Sequence, residues 1–356
     1  MNIDLFFDIF ELIMCFYTFI FILYYFIKAR RLKYEKIKNS EILIVVSSFE
    51  LKKFVVENVK KLRKVFDHVV VLTVKDHGIS IKGVDIVKAS KDFSCKAIRK
   101  GRDLLYFARN YKIPEKVKYI LFLDEDSFPQ TPIEIPLGAD VVILTEYIEK
   151  HKNPLIVSAE LQRRGFGIEE WLFLNFLNLP LYLWGGGLLI RKEFVKYLPD
   201  YPTIIEDSVY GWNIYKEFHK KQKKKIRFAR SKTKISSCPP NDLKTMFKQR
   251  ARWFMGTVFD IDQAPIEIRW ITKIRLFYWV TSLPFYMFTD PFTKLIAIVS
   301  FTIQAMIACR EQNYPWYYVA TWLAGAILNT MMAWTAPFLQ RDKDFKVTKK
   351  ACDPEA

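Results

Sequence analysis

The strongest constraint on the fold is a charge-free apolar segment near the amino terminus, Leu12–Ile27, which reads LIMCFYTFIFILYYFI. With Leu5–Glu11 before it, the segment reaches the length that a helix needs to cross the roughly 30 Å hydrocarbon core of a bilayer. It begins acidic and ends in bulky aromatic residues, whereas a cleaved secretory signal begins basic and ends in small residues. The sequence therefore predicts a transmembrane helix within residues 1–28 and an integral membrane protein.

Basic residues follow this segment directly, from Lys28 to Lys38. Because positive residues stay on the cytosolic side, the chain from Ser40 onward is predicted to enter the cytosol. Much of the formal net charge of +17 lies in this run and in Lys216–Lys234, where a cytosolic domain would rest on anionic lipid. No zinc-finger, ribonucleoprotein-type or helix-turn-helix signature accompanies the charge, which favours membrane lipid over nucleic acid as a partner.

Between the hydrophobic ends, residues 39–240 alternate strand-like and helix-like segments, which is typical of an α/β domain with a mostly parallel sheet. Strands are predicted at Ile42–Val46, His68–Val74, Val84–Val87, Ile120–Leu123, Val141–Leu144 and Leu155–Leu161. Helices are predicted at Leu51–Phe66, Lys91–Arg109 and Ser208–His219. Alternating strands and helices that lead to an acidic turn are the layout of a nucleotide-binding half sheet.

The acidic turn follows the strand Ile120–Leu123 and consists of Asp124, Glu125 and Asp126. Ligands of open α/β sheets bind at the carboxyl ends of strands. Since adjacent residues of an extended chain point to opposite sides, Asp124 and Asp126 can face one point. Two such oxygen ligands suit Mg²⁺ or Mn²⁺, which takes further ligands from substrate phosphates. The alternative is a solvated turn without a ligand.

Three further segments carry residues suited to a ligand site. The glycines of Trp184-Gly185-Gly186-Gly187 permit either a bulge or a close approach of backbone to a ligand. Ile204–Asp207 ends in two carboxylates, and Asp207 is either a functional group or a first-turn acid of the next helix. Asp76 ends a strand just before His77-Gly78, so a turn role and a ligand role both stay open.

The α/β domain ends at Pro239-Pro240, and Asn241-Asp242 caps a basic amphipathic helix. This helix is predicted within residues 241–260 and contains Gln249-Arg250-Ala251-Arg252-Trp253. Its mixture of basic and apolar residues suits a position at the membrane interface.

Residues 268–340 are hydrophobic again and predict two or three C-terminal transmembrane helices. A turn at Asp290-Pro291 divides Leu276–Thr289 from Lys294–Cys309, and Trp316–Leu339 would make a last crossing. Three crossings would place the tail, residues 341–356, outside against the charge rule, whereas two would leave it inside.

Five short motifs occur in a fixed order between the predicted membrane segments. They are Asp76, Asp124-Glu125-Asp126, the glycine loop at 184–187, Glu206-Asp207 and Gln249-x-x-Arg252-Trp253. Their order and membrane-flanked setting resemble the processive-type inverting glycosyltransferases of family two, which include cellulose, chitin and hyaluronan synthases. The resemblance covers nearly the whole chain, from the first strand to the C-terminal hairpin.

A closer likeness is to the egghead-type β-1,4-mannosyltransferases, which transfer mannose from GDP-mannose to a lipid-linked sugar. It rests on the Lys96–Lys100 region, the carboxylate triplet with its charged middle residue, the Trp184-Gly185-Gly186 step and the Gln249–Trp253 sequence. The expected reaction class rests on the wider family likeness, and the expected donor sugar rests on this narrower one.

The resemblance implies a GT-A type nucleotide-sugar-binding sheet domain over residues 39–240, with transmembrane helices on both sides and the amphipathic interface helix after it. It implies a membrane enzyme whose catalytic domain lies on the cytosolic face. The expected reaction transfers mannose from GDP-mannose, favoured over a UDP-sugar, to a lipid-linked saccharide with inversion to a β linkage.

The resemblance also implies roles for single residues. Asp207, beside Glu206, would be the general base that takes the proton of the acceptor hydroxyl. Asp124 and Asp126 would hold Mg²⁺ or Mn²⁺, which offsets the charge that develops on the diphosphate. The expected donor-binding residues are Asp76, Lys96, Asp124, Gln249, Arg250, Arg252 and Trp253, with Lys91 as a further candidate. The expected acceptor-binding residues are Trp184, Gly185, Gly186 and Trp253.

Some of these residues have a plainer interpretation. Each of the two tryptophans could instead anchor the chain at the membrane interface. Lys91 and Lys96 could belong to a solvated helix face. The residues alone leave these alternatives open.

Three other functions remain as alternatives. A processive UDP-sugar polysaccharide synthase is the nearest, but the short cytosolic domain and the small C-terminal membrane region favour transfer of one or a few sugars. A dolichyl-phosphate sugar synthase is not expected to carry the Gln-x-x-Arg-Trp helix. A non-catalytic basic membrane scaffold would bind in a salt-sensitive and metal-independent way.

Overall fold

The computed structural model describes residues 3–29, 31–90, 92–165 and 167–341. Arg30, Lys91 and the predicted tail beyond residue 341 lie outside the described residues.

The strands are β1 (Tyr34–Ile37), β2 (Ile42–Glu50), β3 (His68–Lys75), β4 (Asp85–Val87), β5 (Tyr119–Asp124), β6 (Phe128–Pro129), β7 (Ile133–Pro136), β8 (Val141–Ile148), β9 (Leu188–Arg191) and β10 (Phe228–Ser237). The α-helices are α1 (Ile3–Ala29), α2 (Lys53–Val65), α3 (Arg99–Asn110), α4 (Pro154–Gly165), α5 (Gly167–Asn175), α6 (Glu206–Ile214), α7 (Leu243–Asp260), α8 (Ile266–Phe288), α9 (Pro291–Gln312) and α10 (Trp322–Leu339).

The main sheet has eight strands in the order β4-β3-β2-β5-β9-β8-β10-β6. Its first half, from β4 to β5, is parallel. Antiparallel β9 then joins β5 to β8, and β1 and β7 form a separate two-stranded sheet. The parallel half brings the carboxyl ends of β2, β3 and β5 to one edge, where ligands of such sheets bind.

Helices cover both faces of the parallel half, because successive side chains of each strand point to opposite faces. Leu43 and Val45 of β2 pack on the face that carries α3. Ile44 and Val46 pack on the opposite face, which carries α2. A strand with both faces buried reads as a continuous apolar run, as β2 does.

The segment Leu155–Leu161 is helical and belongs to α4, so the strand predicted there was wrong. A short apolar run does not distinguish a buried strand from a buried helix. Here Pro154 begins the helix, and Oδ1 of Asn153 accepts a hydrogen bond from the backbone N–H of Leu155 at 3.0 Å, which favours a helix start. Residues 156–162 are all buried, so no polar face marks the helical period.

Helix α3 begins at Arg99 and not at Lys91, as the sequence had predicted. Oδ1 of Asp200 accepts hydrogen bonds from the backbone N–H groups of Lys96 and Ala97, at 2.6 and 3.1 Å. A carboxylate that captures backbone donors in this way competes with the helix for them. Asp200 lies about a hundred residues after these two donors in the chain, so the local sequence pattern does not reveal the contact.

In the C-terminal region a turn joins α8 to α9, and Asp290 caps α9 through the backbone N–H groups of Phe292 and Thr293. The packing of these two helices against each other as a hairpin stays a prediction. Helix α9 packs against α1 and α4, and α10 packs against α4, α7 and α8. By length and apolar composition, one of the described helices could cross a membrane, namely α9. The other membrane spans predicted for residues 1–28 and 268–340 stay predictions.

Several of these helices turn apolar side chains away from the protein core. On α1 the exposed side chains recur at helical spacing, at Leu5, Ile9, Ile13, Phe16, Ile20, Leu23 and Ile27. On α8 they are Ile266, Trp270, Ile274 and Phe277, and on α9 they include Phe292, Leu295 and Val299. Contiguous apolar surface of this kind marks an interaction with lipid or with another protein.

Candidate active site

A cavity of about 1230 Å³ lies between the carboxyl edge of the sheet and the surrounding helices. Its wall contains most of the residues predicted for the site: Asp124, Asp126, Trp184, Gly185, Gly186, Glu206, Asp207, Gln249, Arg250, Arg252 and Trp253. Asp76 and Lys96 are not among the described residues that line it. Segments far apart in the chain therefore meet in one place.

A partly buried lysine joins three carboxylates in this cavity. Nζ of Lys100 lies 2.9 Å from Oδ1 of Asp124, 3.4 Å from Oε1 of Glu206 and 3.9 Å from Oδ1 of Asp207. Asp124 is the last residue of β5, Lys100 lies in the first turn of α3, and the two remaining acids open α6. We call these four residues the Lys100 cluster.

The electrostatics of the Lys100 cluster follow from burial and from an excess of negative charge. Burial alone would lower the pKa of Lys100, but the carboxylates of Asp124, Asp207 and Glu206 outweigh it and hold the pKa well above its usual value. Burial raises the pKa of Asp207 to about 7, with Lys100 acting in the opposite direction. A carboxyl with a pKa near neutrality is suited to accept a proton in a reaction.

The glycine loop at 185–187 forms a short 3₁₀ turn whose backbone lies directly against the carboxylates. The backbone N–H of Gly185 donates a hydrogen bond to Asp207, which lowers the pKa of that carboxyl. A Cβ atom at position 185 would lie 2.6 Å from Oδ2 of Asp207 and 2.6 Å from Nζ of Lys100. A side chain at this position would have to displace the ends of the Asp207 and Lys100 side chains. The approach of this backbone to a ligand stays a prediction.

Asp126 lies at the same edge but makes different contacts. Its Oδ2 accepts a hydrogen bond from the backbone N–H of Cys238 at 3.0 Å. Glu125 accepts a hydrogen bond from Oγ of Ser48 at 2.5 Å. Because β5 ends at Asp124 and the next two residues form a turn, the alternation expected of an extended chain does not apply to them, and all three acids line the cavity.

Asp124 and Asp126 are the candidate ligands for a divalent metal. Among the described residues, no group of three or more His, Cys, Asp or Glu side chains could hold a metal ion. Mg²⁺ is usually bound by one or two carboxylates together with waters and substrate phosphates. The oxygen donors of Asp124 and Asp126 fit an ion that arrives with a diphosphate, and they do not fit one held by the protein alone.

Arg252 faces the Lys100 cluster from α7. Burial lowers its pKa, and the carboxylates of Glu206, Asp124 and Asp207 offset part of that effect. Its neighbour Gln249 is 5% exposed, and Oε1 of its side chain has no hydrogen-bond partner among the described residues. Gln249 and Arg252 therefore both line the same cavity.

A second group of buried charges lies elsewhere in the cavity wall. Arg250, only 1% exposed, forms an ion pair with Glu160 of α4. Nη2 of Arg163 lies 2.7 Å from Oε2 of Glu160 and 2.9 Å from Oε2 of Glu146, and Arg164 also pairs with Glu146. We call Glu146, Glu160, Arg163, Arg164 and Arg250 the Arg250 cluster.

Both tryptophans of the predicted site lie against arginines. The guanidinium carbons of Arg250 and Arg163 are 4.3 and 5.4 Å from the centre of the Trp253 ring. The guanidinium carbon of Arg164 is 5.5 Å from the centre of the Trp184 ring. Trp184 also folds over Gly186, where a Cβ would overlap its ring. The rings are held in place by cation–π contacts.

Asp76 and Lys96 lie outside this arrangement. Asp76 pairs with Lys88 at 2.7 Å and caps the turn at Gly78. Lys96 is exposed, and its backbone N–H is bound to Asp200. The donor-binding roles expected of these two residues stay predictions.

The sequence predicted Arg250 as a site residue, but it predicted neither Lys100 nor the other four residues of the Arg250 cluster as such. A signal for Lys100 existed, since a lysine in the first turn of a helix lies near the carboxyl edge when that helix packs on the sheet. The acids of the Arg250 cluster gave no such signal, because Glu160 lies in a segment that was predicted to be a strand.

No protein-family model matches the chain, and no curated protein matches it. The solved structures that are similar include a mannosyltransferase from Pyrobaculum calidifontis in complex with GDP-Man and Mn²⁺. It matches 92% of this chain and 98% of its own chain, at 11% sequence identity and a TM-score of 0.48. A likeness at this identity and TM-score assigns neither a family nor a function to this chain.

Proposed function

We propose that this chain is a metal-dependent, inverting glycosyltransferase of a membrane, and that it transfers mannose from GDP-mannose to a lipid-linked saccharide. The observation that carries the proposal is the approach of Asp124 and Asp207, from β5 and α6, to one ammonium group in the cavity at the carboxyl edge of the sheet. Such a site has anionic groups for a cation-bound diphosphate and a separate carboxylate for the acceptor.

Asp207 acts as the general base, since its pKa of about 7 lets it accept a proton near neutral pH. As the acceptor hydroxyl gives its proton to Asp207, its oxygen forms a bond to the anomeric carbon of the donor sugar. The bond from that carbon to the diphosphate oxygen breaks, and its electron pair leaves with the diphosphate. Attack from the face opposite the leaving group inverts the anomeric centre, so an α-linked donor gives a β-linked product.

The basic residues of the cavity meet the charge of the leaving group. Lys100 and Arg252 line the same cavity as Asp124, and a guanidinium can donate two hydrogen bonds to a phosphate. A divalent ion held by Asp124 and Asp126 would neutralise further charge on the diphosphate. Donors that are already oriented in a buried site stabilise a developing charge more than water does.

The apolar side of the cavity supports a lipid-linked acceptor. Beyond the charged residues, the wall contains Ile13 of α1, Ile274 of α8, Phe301 of α9 and Leu323 of α10. Apolar walls favour a hydrocarbon chain, and the outward apolar faces of α1, α8 and α9 favour a bilayer around them. The saccharide would then lie toward Asp207 and the lipid between the helices.

The test is transfer by the purified protein in lipid extract, with GDP-mannose or with UDP-sugars and with Mg²⁺, Mn²⁺ or a chelator. We expect metal-dependent transfer from GDP-mannose into lipid-soluble product, with β linkages detected by glycosidase digestion. Product length distinguishes transfer of a single sugar from a processive synthase.

Failure to transfer sugar or to hydrolyse any of the sugar nucleotides would refute the enzymatic proposal. Turnover with only a UDP-sugar would keep the reaction class and refute the donor. Lipid binding without any turnover, sensitive to salt and independent of metal, would favour the scaffold alternative.

A further inference from the structure

A slot for a planar ligand lies beside the Lys100 cluster, on the face of the sheet that carries α3. Ser47 and Phe49 continue the side of β2 on which Leu43 and Val45 pack toward α3. Leu72 and Val74 occupy the matching positions of β3, since the two strands pair in parallel. All four of the slot residues line the same cavity as Asp124.

The edges of this slot are apolar and exposed, although the strand ends around them are polar. Phe49 and Val74 are 49% and 52% exposed, respectively. The ammonium of Lys75 lies 5.3 Å from the centre of the Phe49 ring. An exposed aromatic residue at a strand end offers a flat ligand a surface for stacking, and that is the geometry a nucleobase needs.

Asp103 of α3 also lines the cavity and lies one helical turn after Lys100. It makes no hydrogen bond and no ion pair with any residue that the structure describes. Burial raises its pKa to about 6, with Arg102 acting in the opposite direction. An ionised carboxylate that is partly desolvated and lacks a donor partner gains from a ligand that brings donors.

The slot contains one more polar group without a partner. Oγ of Ser47 is buried and has no hydrogen-bond partner among the described residues. A hydroxyl can both donate and accept, so it adds a partner for a ring nitrogen or carbonyl oxygen of a base. Helix α3 is fixed against the sheet by Leu104 and Phe107, which keeps Asp103 in place.

The chemistry of the bases decides which one a carboxylate selects. Guanine presents two adjacent donors, the ring N1–H and the exocyclic N2–H, and a carboxylate has two acceptor oxygens and no donor. Uracil presents a single N–H between two carbonyl oxygens, which would face the carboxylate unfavourably. A site built around buried hydrogen bonds rejects a ligand that leaves its polar groups unpaired.

We infer that Asp103 is the residue that selects guanine over uracil in the nucleotide donor, with the base lying in the slot beside Phe49 and Val74. This inference rests on the proposed function, because it requires a nucleoside diphosphate in the cavity. It gives the choice of a guanine nucleotide a physical reason that is independent of any family likeness.

The experiment measures binding of GDP, IDP and UDP in the presence of Mn²⁺, by calorimetry, to the wild-type chain and to Asp103→Asn. IDP differs from GDP only in lacking the 2-amino group. We expect the wild type to bind GDP roughly 10- to 100-fold more tightly than IDP or UDP, the range expected for a hydrogen bond to a charged group. Asp103→Asn should bind GDP and IDP within about twofold of each other and leave UDP affinity nearly unchanged.

The matched control is Asp92→Asn, which changes an exposed aspartate outside the cavity and should leave all three affinities unchanged. Thermal unfolding of each variant shows that it is folded. An unchanged GDP-to-IDP ratio in Asp103→Asn would overturn the inference, as would an equal loss of GDP and UDP affinity. If the wild type binds none of the three nucleotides, the proposed function fails and this inference fails with it.

Discussion

The Lys100 cluster and the Arg250 cluster are both charged and both part of one cavity wall, yet they differ in burial and in the balance of their charges. The Lys100 cluster sets three carboxylates against one ammonium. The Arg250 cluster sets two carboxylates against three guanidinium groups that pair closely with them. The formal excess is therefore two negative charges in the first cluster and one positive charge in the second. The acids of the second cluster are the more deeply buried, since the side chains of Glu160 and Glu146 are 3% and 9% exposed, against 42% for Asp124 and 20% for Asp207. Buried and closely paired acids mainly hold their elements together, whereas accessible acids in a cavity can meet a ligand.

The two clusters also connect different secondary-structure elements. Lys100 joins the carboxyl end of a strand to the first turns of two helices, where ligands bind in sheets of this kind. Arg250 joins α7 to α4 through Glu160, and its guanidinium lies over Trp253. We therefore expect changes in the first cluster to affect chemistry first, and changes in the second to affect stability first.

The largest effect is expected for Asp207→Asn. Loss of a general base typically lowers the turnover rate by about 10²- to 10⁴-fold, while the amide keeps the shape of the side chain. GDP binding should stay within about twofold of wild type because Asp124 and Asp126 are unchanged, whereas Asp124→Ala should weaken it. Transfer rates and calorimetry of the two variants check this.

Asp262→Asn is the control for Asp207→Asn, since Asp262 is an exposed carboxylate that pairs with Arg269 outside the cavity. Equal nucleotide affinity in the wild type, Asp207→Asn and Asp124→Ala would contradict the proposed roles, in which Asp124 binds the nucleotide with the metal and Asp207 is the general base.

Glu160→Gln tests the Arg250 cluster. Removing one partner of a buried ion pair leaves an uncompensated charge and typically costs about 3 to 5 kcal/mol of unfolding free energy. We expect a clear fall in Tm, and near-normal transfer per folded molecule at low temperature. Glu134→Gln, which removes a carboxylate paired with exposed Lys232, should change Tm little. A loss of transfer without a loss of stability would place Glu160 in the chemistry instead.

Gly185→Ala tests the contact between the glycine loop and Asp207. A Cβ atom would overlap the ends of the Asp207 and Lys100 side chains, which can move away from it, so the cost in stability should stay below the roughly 1 to 3 kcal/mol that is typical of overpacking a core. We expect transfer to fall further than stability, because the displaced groups are those of the Lys100 cluster.

Gly101→Ala is the matched control, since its Cβ would meet only ordinary contacts at 3.8 and 3.9 Å inside helix α3. An alanine there should raise stability slightly, by about 0.5 to 1 kcal/mol. Equal behaviour of the two alanine variants would remove the steric argument for Gly185.

The smallest expected effect is the pH dependence of stability in the metal-free protein. The folded-state pKa of Asp207 is about 7, above its ordinary value of 3.8. The folded state therefore holds this proton more tightly than the unfolded state, so its contribution is most favourable at low pH and is lost as pH rises through 7. Asp207→Asn should be more stable than wild type by about 1 to 3 kcal/mol at pH 8 and about equal near pH 4, as thermal unfolding would show.

The residues of the two clusters also differ in how well their places in the site could be predicted from the sequence. Asp124, Glu206 and Asp207 could be named because each follows a strand or opens a helix that the local pattern already marks. Lys100 was passed over in favour of Lys96, because helix α3 begins later than its composition indicates and Asp200 decides where it begins. The position of Glu160 could not be predicted from the sequence, because its buried helix has no polar face that would show the helical period.

By itself, the sequence determined the alternation of strands and helices, the acidic strand end, the capped basic helix and the hydrophobic ends. All of these depend on neighbouring residues and on the periods of strand and helix. Only the tertiary structure decided that Lys100 lies between Asp124 and Asp207, that Gly185 touches a carboxylate and that Arg250 pairs with Glu160. These contacts join segments tens of residues apart, and their geometry depends on how the helices pack on the sheet.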